Sequence, residues 1–448
     1  MKPVLNSSIK DGLPSVFEEL KPPLSRLQAF TQASKCLECG GPYAEAPCIS
    51  GCPTGIDVPG FIKAIYENKL REAADIILAE NVLGASCSRV CPTEILCEGA
   101  CVLKEEGRRP IEIGRLQRYA MENYSSGALL RERKSEATGK KVAVIGAGPA
   151  GLSCAAELAL KGHEVTVFDR NEDFGGLIRY AIAPYRLNKE PLPKEAKMIE
   201  DLGVTFKMGA DINSSEKLKK IEDEFDGIFL GIGLGKDVEL SYEGENLSGV
   251  WDSLDFIHAI KTGKNPDIGN SVAVIGGGNT AIDVAREAIR IGAREVTLYY
   301  RRTEAEMPAY DHEIEEAREE GVRFQFLINP IRFIGNDRLE FMECRYMKLG
   351  EPDSSGRPRP VNVPGTEFKT PVSTVIKAIG QQKRKGFLNW IKGIELYNGL
   401  IKIDPKTGQT ANPKYFAGGD ALNGGATAVE AVQDGKIAAR GIDRYLKG

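Results

Sequence analysis

Apolar and polar positions change rhythm twice along the chain. Between residues 36 and 120 apolar residues recur at spacings of three and four, as in Val58–Asn68 and Leu70–Glu80, which predicts a small α-helical domain. Residues 1–35 are polar and Pro-containing and read as an arm or a docked helix. Ser125–Lys141, rich in Ser, Gly, Lys and Arg, breaks the pattern and reads as a linker. From Lys141 the rhythm turns α/β: a short apolar strand, Lys141–Ile145, a glycine turn, a helix over Ala150–Lys161 and a second strand, Glu164–Asp169. The same order recurs further on, with strand Ser271–Ile275, a glycine turn, helix Thr280–Ile291 and strand Glu295–Tyr300. Gly350–Pro371 interrupts this second unit and reads as a loop or exposed hairpin; a last strand, Lys414–Ala417, leads through Gly418-Gly419-Asp420 into a helix ending near Leu446.

At 448 residues the chain has room for about three domains. Its 59 basic and 63 acidic residues nearly cancel, which argues against a nucleic-acid or membrane-surface partner. The N-terminus lacks the apolar stretch of a signal peptide and no apolar run approaches about 18 residues, so a cytoplasmic location is expected. Cysteine changes the picture more: eight of the ten lie between Cys36 and Cys101. In a reducing compartment such a cluster points to metal rather than disulfides, whereas Cys154 and Cys344 read as small buried side chains.

The two glycine turns carry the clearest chemistry. Gly146-Ala147-Gly148-Pro149-Ala150-Gly151 follows a strand and opens a helix, so that a pyrophosphate can approach the backbone at the helix N-terminus. Asp169, ending the next strand, is placed to accept hydrogen bonds from a ribose. The second turn, Gly276-Gly277-Gly278-Asn279-Thr280-Ala281, leads to a strand ending in Arg301-Arg302, a pair that could clamp a 2′-phosphate or instead pair with Glu304 or Glu306. One Asp-ended and one Arg-ended unit suggest FAD in the first site and a nicotinamide in the second, with Asp420 available to the flavin ribityl chain.

The thiols are spaced Cys36-x2-Cys39-x8-Cys48-x3-Cys52-Pro53 and Cys87-x3-Cys91-Pro92-x4-Cys97-x3-Cys101. Three-residue gaps closed by proline suit two [4Fe-4S] clusters; two zinc sites would need the same number of thiols, but a flavin reductase has a use for one-electron carriers and none for zinc.

Together with FGGLIRYAIAPYRL, YYRRTEAEMPA and FAGGDALNGGATAVEAVQDGK, these motifs resemble the glutamate synthase small-subunit family across essentially the whole chain, and within it most resemble the N-terminal half of dihydropyrimidine dehydrogenase. The resemblance implies a multidomain fold: an α-helical iron–sulfur domain (1–124), then two Rossmann-like α/β domains, with the NAD(P)H domain (251–379) inserted in the FAD domain (137–250 and 380–448). It implies one cluster on Cys36, Cys39, Cys48 and Cys101, and another on Cys52, Cys91, Cys97 and Gln117, with Cys87 spare unless it replaces Gln117. It adds Gly176, Leu177 and Arg186 near the flavin ring, Asp420, Ala426 and Thr427 on the ribityl side, and Ala378-Ile379-Gly380 at the nicotinamide. The longer Cys39–Cys48 gap and Met307-Pro308, where the pyrimidine enzyme has a further basic residue, depart from the family and leave NADH or NADPH open. The implied activity is electron input from NAD(P)H through FAD and two clusters to a separate FMN/iron–sulfur catalytic subunit that interconverts uracil or thymine with the 5,6-dihydro form. The alternatives are an input subunit of glutamate synthase or of a sulfide or ferredoxin:NADP oxidoreductase. A zinc-stabilised interaction module on an inactive flavoprotein is a rival of another class, and a thioredoxin reductase is disfavoured because the second nucleotide domain lacks a Cys-x-x-Cys.

Overall fold

The computed structural model describes residues 17–41, 44–124, 127–187, 191–353 and 356–448, so the first part of the N-terminal arm, residues 1–16, lies outside the described residues. The chain forms two compact units, each interrupted in sequence. One comprises residues 19–182, 189–234 and 383–448; the other comprises residues up to 18, 183–188 and 235–382.

The first unit opens with helices Arg26–Ala33, Val58–Tyr66, Leu70–Glu80, Gly84–Val90 and Ile113–Asn123. Ser25 caps the first through a reciprocal box with Gln28, and Asp57 caps the second through Gly60 N–H. Such caps satisfy N–H groups that have no partner inside the helix. A parallel sheet follows, in the order Tyr415–Ala417, Gly227–Leu230, Lys141–Ile145, Glu164–Phe168, Thr205–Lys207. The order in which strands are added switches sides at Lys141–Ile145, so the crevice beyond its C-terminal end is where a ligand belongs. Successive residues of that strand face opposite sides: Val142 and Val144 join Phe61, Ile77 and Leu116 of the helices in one core, while Ala143 and Ile145 join Ile228 and Leu230 in another. The cysteine-bearing helices and the first glycine turn thus share a continuous apolar core.

The second unit repeats the plan with a parallel sheet ordered Val250–Asp252, Thr374–Lys377, Ser271–Ile275, Glu295–Tyr300, Arg323–Phe326. Two expectations are corrected here and one alternative is selected. Val250–Asp252 pairs in register with Val375–Lys377, so the inserted segment of the second unit starts at Gly235, not residue 251, and runs to Gln382 rather than 379. Gly350–Pro371, expected as a loop or exposed hairpin, takes the hairpin form: Pro358–Asn362 turns back antiparallel on the long strand Leu339–Pro352, which also pairs with Phe368–Pro371 and with Ile328–Gly335. The expected 125–141 linker contains a helix, Gly127–Arg131, whose Leu129 and Leu130 are buried in the core of the first unit. Among the described residues no helix is long and apolar enough to cross a membrane.

Candidate functional site

At the first glycine turn, Gly146 has φ +109°, and a Cβ there would lie 2.2 Å from the Gly231 carbonyl. A Cβ on Gly151 would lie 1.8 Å from the Gly146 carbonyl, so only glycine lets helix Pro149–Leu160 pack this closely. Gly148 caps that helix in extended backbone without a side-chain partner, leaving its first N–H groups for an anion. Gly176 faces Gly148 across a gap lined by backbone, and Leu177 beside it is half exposed. This cradle, which side chains would fill, fits a pyrophosphate. Asp169 accepts N–H bonds from Ala147 at 2.7 Å and Asn171 at 2.8 Å, so the carboxylate is held at the turn with lone pairs to spare for a ribose.

The late turn joins the same sheet edge. Asp420 accepts from Ala426 N–H at 3.2 Å, and burial raises its pKa. Asp434, absent from the sequence expectations, accepts from Gly419 N–H at 2.9 Å and is also raised by burial. Thr427 caps helix Ala428–Lys447 through a reciprocal box with Glu430. Arg186 groups differently from the expected flavin site: within the second unit its Nε donates to Asp283 at 2.8 Å and its guanidinium pairs with Glu313 at 2.9 Å. Asp283 lies on helix Asn279–Arg290, which the second glycine turn opens.

In that turn a Cβ on Gly276 would meet the Ala378 carbonyl at 2.2 Å, bringing the Gly276–Thr280 segment and Ala378-Ile379-Gly380 together. Gly278 caps the helix without a side-chain partner. The arginine pair is divided. Arg301 is exposed, whereas Arg302 is buried, its Nε donating to the Pro358 carbonyl at 2.8 Å and its Nη2 to Asp353 at 2.7 Å. Neither Glu304, paired with Arg318, nor Glu306, capping Thr303, takes it. Arg302 is therefore a structural tether, and Arg301 is the exposed member of the pair.

Cys36, Cys39, Cys48 and Cys101 line one cavity, with Leu37, Val58 and Ile113. Burial, helped by the neighbouring Cys36, pushes the Cys48 thiol up to about 12. In the second group a hydrogen bond that the Cys91 thiol donates to Cys87, then burial, then the charges of Cys87, Cys97 and Cys52 push Cys91 up, and Cys97 is raised mainly by burial. Cys52 Sγ lies 3.3 Å from Thr54 Oγ1. Gln117, buried on helix Ile113–Asn123, donates its Nε2 to the Gly84 carbonyl at 2.7 Å, which leaves the amide oxygen for a ligand. Cys87 and Gln117 stand on two helices that pack together, and Cys87 neighbours Cys91 of the second group. Among the described residues no group of three or more His, Cys, Asp or Glu side chains is drawn together around one point. Cys154 and Cys344 are fully buried, as expected.

Two buried titratable side chains, Glu195 on helix Leu192–Glu200 and Lys436 on helix Ala428–Lys447, tie the thiol-bearing region to helices of the α/β part of the first unit. Glu195 accepts from Ser86 N–H at 2.9 Å and from its hydroxyl, and burial raises its carboxyl to about 7. Lys436 donates to the Glu80 carbonyl and carboxylate at 2.7 and 2.6 Å. Sequence offered no signal for either, since the partners lie 109 and 356 residues away.

Residues 140–435 match the family described as pyridine nucleotide-disulphide oxidoreductase, and residues 14–128 match dihydropyrimidine dehydrogenase domain II, 4Fe-4S cluster. The chain belongs to the first of these families, as an oxidoreductase carrying a 4Fe-4S domain. More narrowly, it belongs with the glutamate synthase small chains. It is 38% identical to the glutamate synthase [NADPH] small chain of Halomonas elongata, over 96% of this chain and 93% of that one, and 36% identical to that of Escherichia coli, over 96% and 94%. It is also 39% identical to the NADP(+)-dependent formate dehydrogenase subunit beta of Moorella thermoacetica, over 91% of this chain and 60% of that one. In fold it is similar to Mycobacterium tuberculosis FprA in complex with NADPH, with a TM-score of 0.58 and 18% identity over 69% of this chain and 86% of that one. Lactococcus lactis thioredoxin reductase gives 0.54 and 20% over 69% and 99%. Among these relatives the glutamate synthase alternative fits better than the expected pyrimidine pairing.

Proposed function

We propose that the chain is the electron-input subunit of a glutamate synthase-type enzyme, taking electrons from NADPH and delivering them through FAD and two [4Fe-4S] clusters to a separate catalytic subunit. The observation that carries this reading is the combination, in one chain that matches the small chains nearly end to end, of two dinucleotide turns and a thiol domain sharing a core with the first. FAD supplies hydride acceptance and one-electron release, and the clusters supply single-electron transfer.

The residues do the positioning. Gly146–Gly151 and the uncapped helix hold the FAD pyrophosphate, Asp169 the ribose, and Asp420 with Thr427 the ribityl side. Gly276–Thr280 hold the nicotinamide dinucleotide, and Arg301 takes the 2′-phosphate that favours NADPH. Cys36, Cys39, Cys48 and Cys101 hold one cluster. Leu37, between two of these thiols, lines their cavity yet is 54% exposed, so this is the set from which a partner subunit can take electrons. Cys52, Cys91 and Cys97 hold the other with Gln117, whose Nε2 bond to Gly84 aims its oxygen.

Purified protein should contain about eight iron atoms with matching acid-labile sulfide and one FAD, and should reduce a one-electron dye faster with NADPH than with NADH. Glutamate formation with a glutamate synthase large chain supplied is the deciding assay; zinc without sulfide, or a dye activity blind to the 2′-phosphate, refutes the reading. A pyrimidine-reducing partner is the second reading, favoured by the match of residues 14–128 and by Gln117. Uracil reduction with such a subunit supplied would select it. A Cys87→Ser variant that loses a cluster would remove Gln117 from the ligand set.

A further inference from the structure

The second thiol group has a feature that ligand counting does not use. Thr54 stands two residues after Cys52 and is 3% exposed, with its hydroxyl 3.3 Å from the Cys52 sulfur. Once Cys52 is a thiolate bound to iron it has no proton, so in this contact the hydroxyl must donate. The backbone carbonyl of Thr54 accepts in turn from Lys436 Nζ at 3.3 Å. Lys436 is 2% exposed and lies on helix Ala428–Lys447, whose N-terminal cap, Thr427, belongs to the late turn of the FAD site. The helix that starts at the flavin site therefore inserts a buried ammonium against the loop carrying a cluster ligand.

We propose that Thr54 and Lys436 set the reduction potential of the cluster held by Cys52, raising it so that this cluster accepts an electron more readily. The inference rests on the reading that Cys52 ligates a cluster. Reduction adds one electron to the cluster; neither Thr54 nor Lys436 gains or loses a proton. Both stabilise the added negative charge, Thr54 by a hydrogen bond to the ligand sulfur and Lys436 by its positive charge acting through poorly solvated surroundings. Glu80 offsets Lys436 only in part, because its carboxylate is 39% exposed and water screens it while the ammonium is covered. Both are positioning residues: neither is a cluster ligand.

The test is a redox titration of the intact protein followed by electron paramagnetic resonance, with iron content measured on each sample. Thr54→Val keeps the shape and removes the hydroxyl. Lys436→Met keeps the stem and removes the charge, and serves if Thr54→Val fails to fold. Each should make one cluster harder to reduce by roughly tenfold in the equilibrium constant, equivalent to about 59 mV for one electron, while the other cluster and the flavin keep their potentials. Thr54→Ser should restore the wild-type value. Unchanged potentials in fully loaded Thr54→Val or Lys436→Met overturn the inference alone. A Cys52→Ser variant that keeps both clusters overturns the ligand reading and the inference with it.

Discussion

Glu195 gives a prediction whose size follows from its surroundings. It is 1% exposed, and burial raises its carboxyl from the usual 4.5 to about 7 despite two hydrogen bonds from Ser86 and the nearby Arg89. A carboxyl whose folded pKa is raised binds its proton more tightly in the folded chain. Its contribution is complete below about pH 4.5, shrinks as the unfolded chain ionises, and is gone once pH passes about 7. At 1.36 kcal/mol per pKa unit the loss is about 3 kcal/mol. Glu195→Gln keeps an acceptor for Ser86 N–H and removes the ionisation. The variant should therefore gain on the wild type as pH rises, by about 3 kcal/mol between pH 4.5 and 8, and be the more stable protein at pH 8. Urea unfolding followed by circular dichroism at several pH values in that window measures the difference. A gap between the two proteins that stays constant across the window would refute the assignment of this titration to Glu195.

Three further outcomes follow from the nucleotide turns. Gly151→Val puts side-chain atoms where a Cβ already overlaps the Gly146 carbonyl, so the protein should purify without flavin, as its visible spectrum will show. Arg301→Ala should raise KM for NADPH while leaving KM for NADH and the melting temperature unchanged, since Arg301 is exposed and anchors nothing among the described residues. Arg302→Ala should instead lower stability, on the order of 2 kcal/mol, because it removes the buried donor to the Pro358 carbonyl and the ion pair with Asp353; an Arg302→Ala protein with wild-type stability and a raised KM for NADPH would reverse the two roles.

Sequence reveals local events well in this chain. Lys141–Ile145 and Ser271–Ile275 are continuous apolar strands followed at once by glycine turns, so each unit announces itself within some thirty residues. The antiparallel sheet around Leu339–Pro352 is only half legible: Gly350–Pro371 signals a hairpin, but the strand's largely polar surface hides its pairing with Ile328–Gly335. The same holds for side-chain roles. The Arg-Arg pair looks like one clamp until Asp353, 51 residues on, takes Arg302 out of it. The glycine run after Gly227–Leu230 could have flagged Gly231 as part of the first turn, but nothing near Asp434 marks its bond to Gly419.

The contact between Thr54 and Lys436 also orders events in time. The two residues are 382 positions apart, and at about 5–20 residues per second a ribosome needs roughly 20–80 s to make the second after the first. For that interval the thiols are already synthesised while the helix that covers one of their loops does not exist. The environment of Cys52 is thus completed only when residues near the far end of the sequence are in place, so the early-made thiol domain reaches its final packing late.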